Sequence, residues 1–245
     1  MTRIAKFFNC LFLISAMSAS AETEQKNLQE ELELAERLLY GGDEKQAYTR
    51  YKMLAEQGCA KAQVRLGRLM DSYEPERNTE ALAWIRRSAE QGYAHAQYTL
   101  GFAYDMGMFG LGPREFERAK PWYFRAAAQG HPAAMEAIAY MYLHGQGGLK
   151  HDLVSAYQWF TLAARRFPPS TDKPAYGMGA NNELRQLMLN SLDRLATRMS
   201  SAQIAEANRR IEDWENAHNN IHRMPETSET PLPIWYNAIE AGCND

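Results

Sequence analysis

The sequence predicts an all-α fold, a stack of antiparallel helix pairs. Three observations predict it. Apolar and small residues recur with a 3.6-residue period in successive segments. Glycines punctuate those segments, at Gly58, Gly92 and Gly130. The whole pattern repeats: Ala47, Ala81, Ala119 and Ala156 stand 34, 38 and 37 residues apart. A period in that range is the signature of stacked helix pairs, in which one pair cannot bury its apolar face alone.

The register is sharpest in two copies. Ala81, Trp84, Ile85, Ser88, Ala89, Gly92 and Ala96 make one, and Ala119, Trp122, Tyr123, Ala126, Ala127, Gly130 and Ala134 the next. A weaker first copy runs through Ala47, Tyr51, Leu54, Ala55, Gly58 and Ala62, with Arg50 in place of the tryptophan. Ala156, Trp159, Phe160, Ala163 and Ala164 begin a fourth. Each first half has the period of an amphipathic helix. A glycine then ends it, because a left-handed residue caps a helix at no steric cost. The second half continues as Ala96, Leu100, Gly101, Tyr104, or as Ala134, Ile138, Ala139, Tyr142. Its small residues let two helices approach closely, and Trp84, Trp122 and Trp159 are expected to fill the gaps between neighbouring pairs.

This register resembles the Sel1-like repeat, a relative of the tetratricopeptide repeat, most strongly over 44–164. The resemblance implies a right-handed superhelix. A weaker return at 203–214, ending in Trp214, is similar to the closing helix of bacterial members. Arg50 and the missing glycine after Ala164 depart from the pattern.

In chain order, Arg3 and Lys6, the mostly apolar run 7–17 and Ala19-Ser20-Ala21 read as a secretory leader over 1–21. The run is too short to span a bilayer comfortably. Residues 22–43 are expected to form a capping helix, with Leu28, Leu32, Ala35 and Leu39 on one face. The solenoid then covers 44–223. Asp43, Asn78, Asp152 and Ser200 stand where helix N-caps are wanted. The link 106–113 combines Met106, Met108, Phe109 and Leu111 with three glycines and a proline, so it either folds onto the core or meets a partner. Residues 166–180, with three prolines and Tyr176, read as an insertion in the fourth unit. The tail 224–245 carries a short apolar helix around Trp235 and Tyr236, expected to cover the open end of the stack, with a partner-binding tail as the alternative.

Removal of the leader takes away two of 27 basic residues and none of 30 acidic ones. That balance does not favour nucleic acid or an anionic membrane as the main partner. It also leaves only Cys59 and Cys243, which a solenoid holds apart unless the tail folds back, so the pairing stays open. No nucleophile elbow, phosphate-binding glycine loop or His-Glu-x-x-His occurs. His218 and His222 have a metal-compatible spacing but lack an evident third ligand. His95 and His131 follow turn glycines and suit turn packing or exposure. The expectation is therefore no catalytic residue, no metal and no cofactor.

A catalyst-free solenoid offers a broad surface for a protein or peptide. Helical phase nominates Arg50, Arg86, Arg87, Lys120 and Gln158 on the first helices, together with Met108, Phe109 and Tyr176 in the links, as partner contacts. The resemblance implies an adaptor in signalling, envelope assembly or host interaction, or an exported immunity protein. The latter would bind a periplasmic enzyme or toxin, such as a phospholipase delivered by a contractile (type VI) secretion system. Membrane association would then come only through the partner.

Overall fold

The computed structural model describes residues 26–167 and 181–218 of the chain. The expected leader over 1–21, the insertion with Tyr176, and the tail with its short helix lie outside these residues. Helix α1 covers 26–40, followed by α2 (Glu44–Glu56), α3 (Ala60–Tyr73), α4 (Asn78–Glu90), α5 (Ala94–Met106) and α6 (Phe116–Ala128). Then come α7 (Pro132–His144), α8 (Leu153–Arg166), α9 (Asn181–Ala196) and α10 (Ser201–Ala217). No strand occurs among the described residues.

The turns inside each repeat share one device. Gly58, Gly92 and Gly130 have φ of 98°, 97° and 87°, in the left-handed region where a side chain is strained. Around Gly58, the Cys59 N–H donates to the Leu54 carbonyl and the Gly58 N–H to the Ala55 carbonyl, at 3.0 and 3.1 Å. The same pair of bonds recurs at Gly92 and Gly130 and satisfies the orphan carbonyls of α2, α4 and α6. Two buried glutamines then tie successive turns together. Gln63 Nε2 donates to the Ala55 carbonyl, while its own Oε1 accepts from Gln91 Nε2 at 2.8 Å. Gln97 repeats this with the Ala89 carbonyl and Gln129.

Three of the four expected caps form. The side chains of Asp43, Asp152 and Ser200 each accept a backbone N–H, Ser200 in a reciprocal capping box with Gln203. Asn78 does not cap. The 3₁₀ turn Pro75–Arg77 runs straight into α4, so Asn78 is already helical, with φ −52° and ψ −37°.

The tightest packing joins α3 to α4, α5 to α6 and α7 to α8, across the long links rather than across the glycine turns. Small residues cause this. A Cβ on Gly67 of α3 would stand 2.7 Å from the Ala81 carbonyl oxygen and from the Ile85 side chain of α4. One on Gly101 of α5 would stand 2.8 Å from the Tyr123 ring of α6. The facing Ala81, Ile85, Ala119 and Tyr123 are fully buried. Ala139 holds the equivalent place in α7. The residue after each tryptophan (Ile85, Tyr123, Phe160) therefore fills the core. Trp159 is buried, but Trp84 and Trp122 only lean on the core and stay partly exposed, a correction to their expected role as gap fillers.

The link 106–113 folds inward. Arg114 donates to the Asp105 carbonyl and carboxylate, both at 2.7 Å, and the Tyr123 hydroxyl donates to the other Asp105 oxygen at 3.0 Å. Phe109 is buried beneath the link.

His95 and His131 are not exposed turn residues but a buried stacked pair, with ring nitrogens 3.4 Å apart and Tyr98 against His131. His131 Nδ1 accepts the Ala134 N–H, which leaves Nε2 to carry the proton toward His95. Burial holds the His95 pKa well below its usual range and that of His131 at about 3, so both rings are neutral in the fold. Nearby, burial pushes the Glu136 carboxyl up to about 7.

Two predictions follow from this packing. Gly67→Ala and Gly101→Ala, despite the better helix propensity of alanine, should each lose roughly 1–3 kcal/mol in urea unfolding. Ala139 shows that the third copy admits a methyl group, so unchanged stability in both variants would refute the close approach. The second concerns pH. The histidines have depressed folded pKa values, so their contribution is present above about 6.5 and is lost as pH falls toward 3. Glu136 has a raised one, so its contribution is present below about 4.5 and is lost as pH rises through 7. Glu136→Gln should therefore match the parent near pH 4.5 and exceed it at pH 8 by on the order of 1–3 kcal/mol. A difference that does not vary with pH would contradict this origin.

Candidate protein-binding face

The first helices of the repeats (α2, α4, α6, α8) form one row, which α10 extends by packing on α8. Along this row the 3.6 period puts a tryptophan and the residue three places later on the same outer face. Arg87 lies over the Trp84 ring with its guanidinium carbon 5.8 Å from the centroid, and Arg125 over Trp122 at 4.6 Å. Both arginines are exposed and both tryptophans partly so. Between them, Arg86 and Arg118 donate to the Tyr104 hydroxyl at 3.0 and 2.9 Å. Arg118 also pairs with Glu115. The result is a cationic, aromatic face across α4 and α6. Arginine stacked on an aromatic ring keeps its planar fork of donors available for a carboxylate while its rotamers are restrained.

The face ends at α10. There Trp159 meets Phe124 and Trp214 edge-on, and Arg166 stacks on Trp214 at 4.3 Å. Burial lowers the Arg166 pKa to about 10. Arg165 and Glu215 form an ion pair of 2.9 Å across the same junction. The expected closing helix is thus a packed cap on the fourth unit. His218 is used within it: its Nδ1 lies 2.8 Å from the Trp214 carbonyl and its ring stacks on Trp214. His222 lies outside the described residues.

The nominated contacts divide. Arg86 and Arg87 are exposed on the face. Arg50 is not part of it, because its guanidinium pairs with Glu31 of α1. Lys120 donates to the Gly147 carbonyl at 2.6 Å and so pins the following link. Gln158 reaches the Arg210 carbonyl at 3.5 Å, in the α8–α10 junction. Phe109 is turned into the core, so it cannot offer its ring to a partner, and Met108 is half-buried above it. Arg118 and Arg125 were the residues that helical phase passed over. The spacing Trp122 to Arg125, equal to that of Trp84 to Arg87, carried the signal.

On the other row, α3 and α5 enclose a cavity of about 190 Å³ with Arg68, Tyr98, Phe102 and Met108 among its walls. It is mostly apolar and small. Among the described residues, no group of three or more His, Cys, Asp or Glu could hold a metal ion, and no helix is long and apolar enough to cross a membrane.

Comparison with known proteins accords with this geometry. Residues 60–93, 94–131 and 132–166 each match the family described as Sel1 repeat. Each match begins at a second helix and ends after the next first helix, so it takes in the tightly packed pairs α3–α4, α5–α6 and α7–α8. A curated relative, "F-box protein At1g70590" of Arabidopsis thaliana, is 35% identical over 66 residues. That alignment covers 27% of this chain and 19% of the relative. Among solved structures, "c5321: a protective antigen present in uropathogenic Escherichia coli strains displaying an SLR fold" superposes with a TM-score of 0.64 at 22% identity. It matches over 86% of this chain and 44% of its own. A "Sel1 repeat protein from Oxalobacter formigenes" gives 0.56 at 20% identity, over 80% and 74%. The chain thus spans about a fifth of that curated relative and less than half of the first structure. These likenesses establish the right-handed solenoid of antiparallel helix pairs. Residues 60–166, less than half of the chain, thus carry three Sel1 repeats, a kind of repeat that generally mediates protein–protein contacts.

Proposed function

We propose that this chain is an exported, non-catalytic binding protein whose α4–α6 face clamps an acidic surface of one periplasmic protein. We further propose that the partner is a secreted antibacterial enzyme, of the phospholipase or lipase class delivered by type VI secretion. The chain would then act as the immunity protein that neutralises it. The observation that carries the binding reading is the doubled Trp–Arg stack. Tryptophan, tyrosine and arginine are the side chains that dominate binding energy when a partner desolvates them. Here each arginine is already stacked on its tryptophan, so less side-chain entropy is lost on association. The leader-like N-terminus supports the compartment, and the resemblance to exported family members supports the inhibitory role. A second reading, an envelope adaptor, is favoured by the cavity between α3 and α5, which gives the solenoid another potential contact surface on its opposite row.

The test starts with capture of a partner from envelope extract and a titration of the purified pair. Trp84→Ala with Arg87→Ala, and separately Trp122→Ala with Arg125→Ala, should each weaken binding roughly 30-fold or more. Circular dichroism should stay unchanged, because these side chains lean on the core without filling it. Unchanged affinity in both pairs would remove the face from the account. Stoichiometric loss of the partner's enzymatic activity distinguishes immunity from adaptation. Simultaneous binding of two proteins without inhibition would overturn the immunity reading.

A further inference from the structure

The cavity between α3 and α5 holds charges that the fold leaves unused. Arg68, Asp71 and Ser72 stand on one face of α3, and Tyr98, Thr99 and Phe102 face them from α5. His95, Tyr98 and Phe109 are buried and make the floor, while Arg68 and Ser72 are exposed at the rim. Among the described residues, neither the Arg68 guanidinium nor the Asp71 carboxylate takes a hydrogen bond or an ion pair, although they stand one turn apart. We propose that this cavity binds a free α-amino acid with an apolar or aromatic side chain. Its carboxylate lies on Arg68, its ammonium on Asp71, and its side chain against Tyr98, Phe102 and Met108.

The polar groups of the rim match a zwitterion. Residues three apart on a helix have Cβ atoms about 5–6 Å from each other, so Arg68 and Asp71 can reach two charges carried on one carbon. Arg68 supplies a planar fork of donors that fits a carboxylate. The two hydroxyls face the cavity as acceptors. Ser72 donates its proton to the Arg68 carbonyl at 3.1 Å and Thr99 donates its own to the His95 carbonyl at 2.8 Å, which leaves their oxygen lone pairs for an ammonium. Lys61 and Arg65, on the same helix, pair with Glu36 of α1 at 3.0 and 3.4 Å, so Arg68 is left to meet an incoming anion. Burial lowers the Arg68 pKa, with Arg65 adding to the effect, and burial raises that of Asp71 against the pull of Arg68. Each charged form thus lacks hydration that a ligand group of opposite charge replaces.

Size and apolar lining favour the same ligand. The Tyr98 and Phe102 rings lie 5.9 Å apart with their planes at 28°, and Met108 adds an adaptable thioether. The cavity measures about 190 Å³. A void of about 150 Å³ holds benzene, so there is room for one aromatic ring but not for a run of peptide. A polypeptide C-terminus would bring the carboxylate without the ammonium and leave Asp71 unmatched beside it. The site lies on the row opposite the Trp84 and Trp122 stacks, so it stands whether or not that face binds a protein.

Isothermal titration of the purified chain with L-phenylalanine and with L-leucine tests this. Saturable binding is expected for at least one of them, with a Kd below about 1 mM. N-acetyl-L-phenylalanine lacks the ammonium and 2-phenylethylamine lacks the carboxylate, so each should bind at least about tenfold more weakly than phenylalanine. Arg68→Gln and Asp71→Asn should each cost a similar factor at unchanged circular dichroism, because both side chains stand at the rim. Trp84→Ala with Arg87→Ala should leave amino-acid binding unchanged. No saturable binding of either amino acid would overturn the proposal. Equal affinity for N-acetyl-L-phenylalanine would also overturn it and mark the cavity as a site for a peptide carboxylate. Binding that survives both rim substitutions would place the amino acid elsewhere and overturn the assignment.

Discussion

The fold depends on how closely α3 and α5 approach the helices that follow them. At Gly67 and Gly101 there is no space for a methyl group against Ile85 and Tyr123. That contact draws each second helix onto the next first helix and buries the alanines at 81 and 119 completely. The turn glycines set direction, and the Gln63 and Gln97 bridges align successive turns, but neither sets the spacing. The links between the tightly packed helices can then differ in length and composition. The short 3₁₀ turn before α4, the inward-folded link before α6 and the Lys120-pinned link before α8 all serve the same geometry.

Much of this was legible in the sequence because the repeat is written in small residues and glycines, whose roles are local. Helix number, turn positions and the caps at Asp43, Asp152 and Ser200 follow from such rules. What escaped was pairwise. Asn78 occupies a capping place in the register, yet a preceding helical turn makes it a helix residue. The phase of the packing unit was hidden because periodicity alone does not say whether a helix packs more tightly on the one before it or the one after. Likewise, the 3.6 period puts tryptophan and the next residue both near the core, and only the partner helix decides that Ile85 and Tyr123 go deepest.

The candidate face was half legible. Arg86 and Arg87 could be placed outside by helical phase. Arg50, Lys120 and Gln158 were placed outside from other positions of the register, but each is occupied by something sequence distance conceals: Glu31 on α1, the Gly147 carbonyl, and the Arg210 carbonyl on α10. Phe109 went astray for a related reason. An apolar residue in a glycine-rich link looks available until Asp105, Arg114 and Tyr123 are seen drawing the link inward. What remains exposed is the part of the first-helix row that the stack itself does not use, and it is aromatic and cationic.

If the close approach organises the stack, then each second helix should open together with the first helix that follows it. Native-state hydrogen exchange with a denaturant series measures this directly. The account predicts that amides of α5 and α6 converge on one opening free energy, as do those of α3 and α4, with a distinct step between α4 and α5. Amides of α4 and α5 opening as one unit, with α6 apart, would contradict it and return the organising role to the glycine turns.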